Sequence, residues 1–125
     1  MNVPENLKYT EDHEWARVEG TIAYVGITDH AQHELGDIVY VELPDVDTEV
    51  EKDEEATSIE SVKAAAPVNS PVSGKVVKVN EDLEDEAELV NKDAYAAYIF
   101  AVEMSDPSEL DSLMDAAAYK KFLEK

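Results

Sequence analysis

The stretch from Ala56 to Val79 constrains this chain most. Two runs rich in β-branched side chains, Thr57-Ser58-Ile59-Glu60-Ser61-Val62 and Gly74-Lys75-Val76-Val77-Lys78-Val79, favour extended backbone. Between them, Pro67 and Pro71 exclude a helix and hold the residues before them extended or turning. The pattern predicts strand, turn, strand, with Lys63 at a turn. A primary amine on a tight hairpin is exposed, fixed in direction and reachable by a modifying enzyme, whereas a lysine on a helix face is flanked by its neighbours. Without its flanks, Lys63 is one of nine ordinary lysines.

The rest of the chain reads as short elements. Residues 14–27 alternate loosely between apolar and polar, with Gly20 as the turn of a hairpin. Thr28 can cap a short helix through Leu35, and Gly36 can stop it by taking the left-handed conformation. Ile38-Val39-Tyr40-Val41 reads as a buried strand, Pro44 to Asp47 as a loop and Glu51 to Glu54 as a charged turn. Residues 81–91 have Leu83, Leu89 and Val90 at helical spacing, and Tyr98 to Val102 returns to strand. Asp106, Pro107 and Glu109 form a helix-start signature, after which Leu110, Leu113, Met114 and Ala117 are predicted to share one packed face.

A chain of 125 residues that is 44% hydrophobic predicts a single domain, 1–125, with a core. The formal charge of −20 disfavours nucleic acid and anionic membrane and suits partners with basic docking faces. With no cysteine there is no disulfide, thiol nucleophile or thiolate metal site, so dithiol chemistry would have to come from an attached group. The first residues lack the pattern of a signal or transit peptide, and no apolar run reaches membrane-spanning length. A soluble, cytoplasmic monomer is expected, or a mitochondrial-matrix protein if a targeting segment has been removed. His30 and His33 lie three apart on the expected helix, and His13 could approach them. No fourth ligand or supporting shell accompanies them, so no metal site is expected. No nucleophile elbow, phosphate-cradling loop or framed carboxylate pair occurs, so no catalytic residue is assigned.

Glu60-Ser61-Val62-Lys63-Ala64-Ala65, followed by Ser70-Pro71-Val72-Ser73-Gly74, resembles the lipoyl-lysine hairpin of the glycine cleavage system H proteins. Leu7-Lys8-Tyr9-Thr10, His13-Glu14-Trp15, Gly26-Ile27-Thr28-Asp29-His30-Ala31-Gln32 and Leu35-Gly36-Asp37 continue the resemblance before the lysine. Val79-Asn80-Glu81, Glu88-Leu89-Val90-Asn91 and Ser105-Asp106-Pro107 through Tyr119 continue it afterwards, in the same order. Biotin carriers usually place Met on both sides of the lysine and 2-oxoacid dehydrogenase lipoyl domains usually place Asp before it. Here the flanks are Val62 and Ala64.

The resemblance implies a mostly-β, lipoyl-type barrel-sandwich hybrid with short flanking helices and a C-terminal helix. It implies lipoate in amide linkage to Lys63, with Glu60, Ser61, Val62 and Ala64 recognised by a lipoate ligase or a lipoyl or octanoyl transferase. The lipoyl arm would carry an aminomethyl group from a pyridoxal-phosphate glycine decarboxylase to a folate-dependent aminomethyltransferase, with reoxidation by a flavin-dependent dihydrolipoyl dehydrogenase. A cleft would shelter the loaded arm; Glu14, Asp12 and His30 fall at its positions, the alternative for each carboxylate being an exposed group at a strand start. Since the aminomethyl amine is cationic near neutral pH, acidic or hydrogen-bonding groups suit it.

Three positions depart from the family pattern. Pro67 stands where an arm-contacting Asp is usual, and Asp53 where a turn Gly is usual, so Asp53 is expected at positive φ. Ala94-Tyr95-Ala96-Ala97-Tyr98-Ile99 replaces a segment with Pro-Tyr, glycine and Trp, and four glycines remain in the whole chain. Alanine for glycine lowers unfolded-chain entropy, as a stabilising redesign would. Two rival readings therefore stand beside the shuttle: a relay that donates lipoyl groups to other lipoyl domains, and an engineered scaffold of the same fold that is never modified.

Overall fold

The computed structural model describes residues 2–124. Among these residues, nine strands, all pairing antiparallel, form two sheets. The larger sheet has six strands. β1 (Lys8–Tyr9), β2 (Glu14–Glu19) and β3 (Ile22–Ile27) form one end, followed by β9 (Phe100–Met104), β8 (Gly74–Val79) and β5 (Glu49–Val50). The smaller sheet runs β4 (Ile38–Val41), β6 (Glu55–Ser61), β7 (Ala65–Asn69). The described residues also form four short α-helices, α1 (Asp29–Leu35), α2 (Asp82–Asp85), α3 (Leu89–Lys92) and α4 (Ala116–Leu123), and a 3-10 turn.

Alternation explains how two sheets close on one core. Val25 and Ile27 of β3, Val41 of β4, Ile59 of β6, Val68 of β7 and Val76 of β8 all turn inward to a single buried cluster. A second cluster joins Val3, Leu7, Tyr9 and Trp15 to Ala116 and Tyr119, holding α4 against the start of the chain. Trp15 needs a glycine opposite: a Cβ at Gly26 would fall 2.6 Å from its ring. The indole N–H donates to the Ala94 carbonyl at 3.0 Å, so the alanine-rich segment supplies that partner.

Several local expectations hold. Gly20 turns β2 into β3 with φ +66°. The Thr28 hydroxyl accepts from Ala31 N–H, and Gly36 ends α1 at φ +77°. Asp53 sits at φ +68° in its charged turn.

Others are corrected. Gly74–Val79 does not pair with the strand before Lys63; it lies between β9 and β5 in the larger sheet. The lysine hairpin closes instead on β7, which contains Pro67. Proline is tolerated there because β7 is an edge strand, where a ladder N–H can be missing. Ile38–Val41 is buried only at its ends, since a register shift between Ile38 and Tyr40 turns Val39 and Tyr40 outward. Residues 81–91 split into α2 and α3, because Glu86 leaves the helical region. The last strand begins at Phe100, after Tyr98 has packed edge-on to Tyr24.

The C-terminal segment is also two pieces rather than one. Asp106 does accept from Ser108 N–H, but it opens a 3-10 turn, Pro107–Ser112, and Asp115 caps the true helix α4. Glu109 forms no capping box: its carboxylate accepts from Ser73 N–H at 2.7 Å and from the Ser73 hydroxyl at 2.8 Å. Leu110 therefore packs on the first cluster, Met114 on the second, and Ala117 is exposed.

Candidate functional site

Lys63 stands at the tip of the β6–β7 hairpin, and Ser61 builds that tip. Ser61 N–H donates to the Ala64 carbonyl at 2.8 Å, its hydroxyl donates to the same oxygen at 3.1 Å, and its Oγ accepts from the N–H groups of Lys63 and Ala64, each at 3.1 Å. One serine thus satisfies most of a four-residue turn. Val62 N–H donates to the Asp37 carbonyl at 3.0 Å and fastens the tip to the residue after the α1 stop. Glu60, Val62 and Ala64 are exposed around Lys63, as a recognition role requires.

The lysine is aimed. Its Nζ donates to the Glu34 carbonyl at 3.2 Å, one of the carbonyls that the last turn of α1 leaves without a helical partner. Gly36 leaves room beside it, since even a Cβ there would sit 3.7 Å from Lys63 Cε.

Glu34 also borders a cleft of about 260 Å3. One wall is apolar, with Ile27, Leu35, Ile59, Ala66 and Pro67, and the other carries Asp12, His13, Glu14 and His30. Ile59 and Ala66 are cross-strand partners on the inner side of the lysine hairpin, so the hairpin itself forms part of the wall. Asp12, Glu14 and His30, separate in sequence, therefore meet in one place. Pro67 lines the same cleft, so the position where the family usually has Asp presents an apolar ring here. A larger groove of about 700 Å3, lined by Glu49, Glu51, Glu54, Glu55 and Glu103 among others, does not include Lys63.

Glu14 is no exposed strand-start carboxylate, being only 2% exposed. Burial pushes its pKa up to about 7, with Asp12 and Asp53 adding to the rise. The Thr10 hydroxyl, donating at 2.6 Å, and Asn69 N–H, donating at 3.2 Å, pull against that rise. Because Asn69 lies on β7 and Glu14 on β2, this carboxylate also stitches the two sheets together beside the cleft.

His13, part of the His13-Glu14-Trp15 resemblance and weighed as a metal ligand, also lines the cleft, which nothing in the sequence signalled. Its ring lies 4.5 Å from that of His30, while His33 is exposed and does not line the cleft. Burial, and then the neighbouring His30, lower its pKa, against a smaller opposing effect of Asp12 and Glu34. His13 Nδ1 is 2.7 Å from the Tyr119 hydroxyl, which is 2.8 Å from Thr28 Oγ1, the cap of α1. The helix-cap signal at Thr28 was legible; its partner from α4 was not.

A two-sheet, mostly-β body of barrel-sandwich form that offers a lysine on a hairpin tip defines the class of carrier domains, in which the chemistry rides on an attached group. A sequence model of the glycine cleavage H-protein family matches residues 7–125. The chain is 53% identical over 125 residues to the glycine cleavage system H protein of Syntrophomonas wolfei, covering 100% of this chain and 96% of that relative. It is 52% identical over 126 residues to that of Anaeromyxobacter sp. strain K, covering 100% and 98%. It superposes on the crystal structure of a glycine cleavage system H protein from Mycobacterium marinum with TM-score 0.90 and 31% identity, covering 98% of this chain and 100% of that one. The chain belongs to the glycine cleavage H-protein family, whose members are non-catalytic lipoyl carriers of the glycine cleavage system. Among the described residues, no helix is long and apolar enough to cross a membrane.

Proposed function

We propose that Lys63 carries lipoate and that the whole chain, 1–125, acts as one carrier domain shuttling the aminomethyl group of glycine. Its partners in this reading are a pyridoxal-phosphate glycine decarboxylase, a folate-dependent aminomethyltransferase and a dihydrolipoyl dehydrogenase. Lipoate in amide linkage at Nζ supplies a dithiolane able to accept and release the one-carbon unit. The observation that carries the reading is the bond from Lys63 Nζ to the Glu34 carbonyl: the root of any arm lies beside a residue that borders the cleft.

The residues present fit such an arm. Ile27, Leu35, Ile59 and Ala66 suit methylene and ring carbons, and their contact excludes water. Glu14 and Asp12 suit a cationic amine at the far end, and an amine bound there would draw the raised Glu14 pKa back down by stabilising its charge. His13 with its lowered pKa favours the neutral ring and adds no competing charge. Pro67 offers no carboxylate, so the polar grip falls to the Asp12–Glu14 side.

Attachment itself needs the neutral Lys63 amine. Nζ attacks an activated lipoyl carbonyl, the C–N bond forms, AMP leaves from an adenylate donor, and a proton passes to solvent. Incubation with lipoate, ATP and a purified lipoate ligase is expected to add one lipoyl increment to the intact mass, absent in Lys63→Arg. Glycine-dependent loading by glycine decarboxylase is the second stage of the test. A folded native protein that gains no mass would sink the carrier reading and leave the unmodified scaffold. Lipoyl transfer to a dehydrogenase lipoyl domain without glycine-dependent loading would favour the relay.

A further inference from the structure

The lysine hairpin has two faces, and the cleft uses only one. Residues directly opposite in an antiparallel ladder share a face. Ile59 and Ala66 point to the cleft, so the next row, Tyr40, Glu60 and Ala65, points out. Among the described residues no second layer covers this outer row, and all three of its members are exposed. The register shift in β4 puts Val39 there as well. Val39 is 57% exposed, Tyr40 50% and Val62 65%, so half of the six large exposed hydrophobics among the described residues lie on or beside this one small sheet. Glu42 directly follows β4 and is held by the Ser58 hydroxyl at 3.2 Å, and α2 packs beside β4 with its acidic residues exposed.

We propose that this outer face is where the enzyme that acylates Lys63 docks, through Val39, Tyr40 and Val62, with Glu42 and Glu60 as the charged rim. The inference rests on Lys63 being the lipoylation site. The matching surface is an apolar pocket ringed by Lys and Arg, complementary to a carrier of net charge −20. Geometry selects this enzyme over the others. A partner that works on the loaded arm meets its far end, whereas an acylating enzyme must bring its carbonyl to Nζ itself and so must straddle the hairpin tip. Of the two faces beside the tip, the inner one is turned to the cleft, and the outer one is exposed, with the exposed Val62 next to Lys63 in the turn. Recognition then extends beyond the residues next to Lys63 to β4, more than twenty positions earlier in the chain.

The test is the initial rate of lipoylation against carrier concentration, using purified lipoate ligase, lipoate and ATP. Tyr40→Ser and Val39→Ser are compared with native protein and with Val18→Ser, an exposed site on the other sheet. Exposed positions tolerate such changes, and thermal unfolding checks that each variant is folded. The expected result is a KM for the carrier raised about tenfold in Tyr40→Ser and about threefold in Val39→Ser, with kcat within about twofold and Val18→Ser like native. Native KM in both variants overturns the docking face and leaves the carrier reading intact. Native protein that is never lipoylated overturns the carrier reading beneath it. Unchanged ligase kinetics with impaired loading of lipoylated Tyr40→Ser by glycine decarboxylase would give the face to that enzyme. A native dimer abolished by Tyr40→Ser, with ligase KM unchanged, would give it to a second copy; either result overturns the proposal.

Discussion

Glu14 is buried with Thr10 and Asn69 as its hydrogen-bond partners, near Asp12 and Asp53. Its folded pKa of about 7 lies above the ordinary glutamate value of 4.5, so the folded state holds the proton more tightly than the unfolded chain. That contribution is fully present below pH 4.5 and is lost as the pH rises through about 7. Glu14→Gln keeps the shape and cannot ionise. The stability of the variant minus that of the native protein should therefore grow from pH 4.5 to pH 8, by about 2–3 kcal/mol. Urea unfolding at the two pH values measures it, and a difference that stays flat would mean the carboxylate is better solvated than its burial implies. Sequence alone could place Glu14 at a strand start. It could not show the burial, because Asn69 comes from β7, fifty-five residues away.

At the scale of elements, two glycines that look alike in sequence do different work. At Gly36, with φ +77°, an added Cβ would make only ordinary contacts, 3.7 Å from Lys63 and Val62, so an alanine there meets backbone strain without a clash, about 1 kcal/mol. Gly26 has no positive φ, but a methyl there would collide with the Trp15 ring at 2.6 Å. The ring is fixed by the Ala94 carbonyl, so Gly26→Ala should cost more, toward about 3 kcal/mol, and shift the Trp15 fluorescence. Equal losses with unchanged fluorescence would show that the ring moves aside freely. The stops, caps and turns at Gly20, Thr28, Gly36 and Asp53 were legible because each depends on a few adjacent residues. The partner of β6 was not: choosing β7 over β8 depends on which strands share a sheet. The β-branched richness of β8 was a stronger local signal than the Ala-Ala-Pro of β7.

Across the whole molecule, a charge of −20 makes compactness electrostatically costly. Moving from 0.01 M salt, with a Debye length of about 30 Å, to 0.15 M, with about 8 Å, should raise unfolding free energy while lowering the ligase association rate. Stability that does not change with salt would mean that the carboxylates are spaced too widely to repel. A second whole-molecule link runs through α4. Tyr119→Phe removes the hydroxyl between His13 and Thr28 and should cost about 1 kcal/mol, with reduced protection of amides in α1 against hydrogen exchange. Unchanged exchange in α1 would show that Thr28 caps its helix without help. Tyr119 also enters the fold from almost the last turn of the chain, long after the Lys63 hairpin. On the ribosome, the sequence of the acceptor tip emerges well before the helix that backs the cleft. Translation order thus delivers the place of attachment and the cleft lining, Asp12 to Pro67, before the hydroxyl that braces His13 and Thr28 from behind, and an interrupted chain would carry the address and its pocket without their brace.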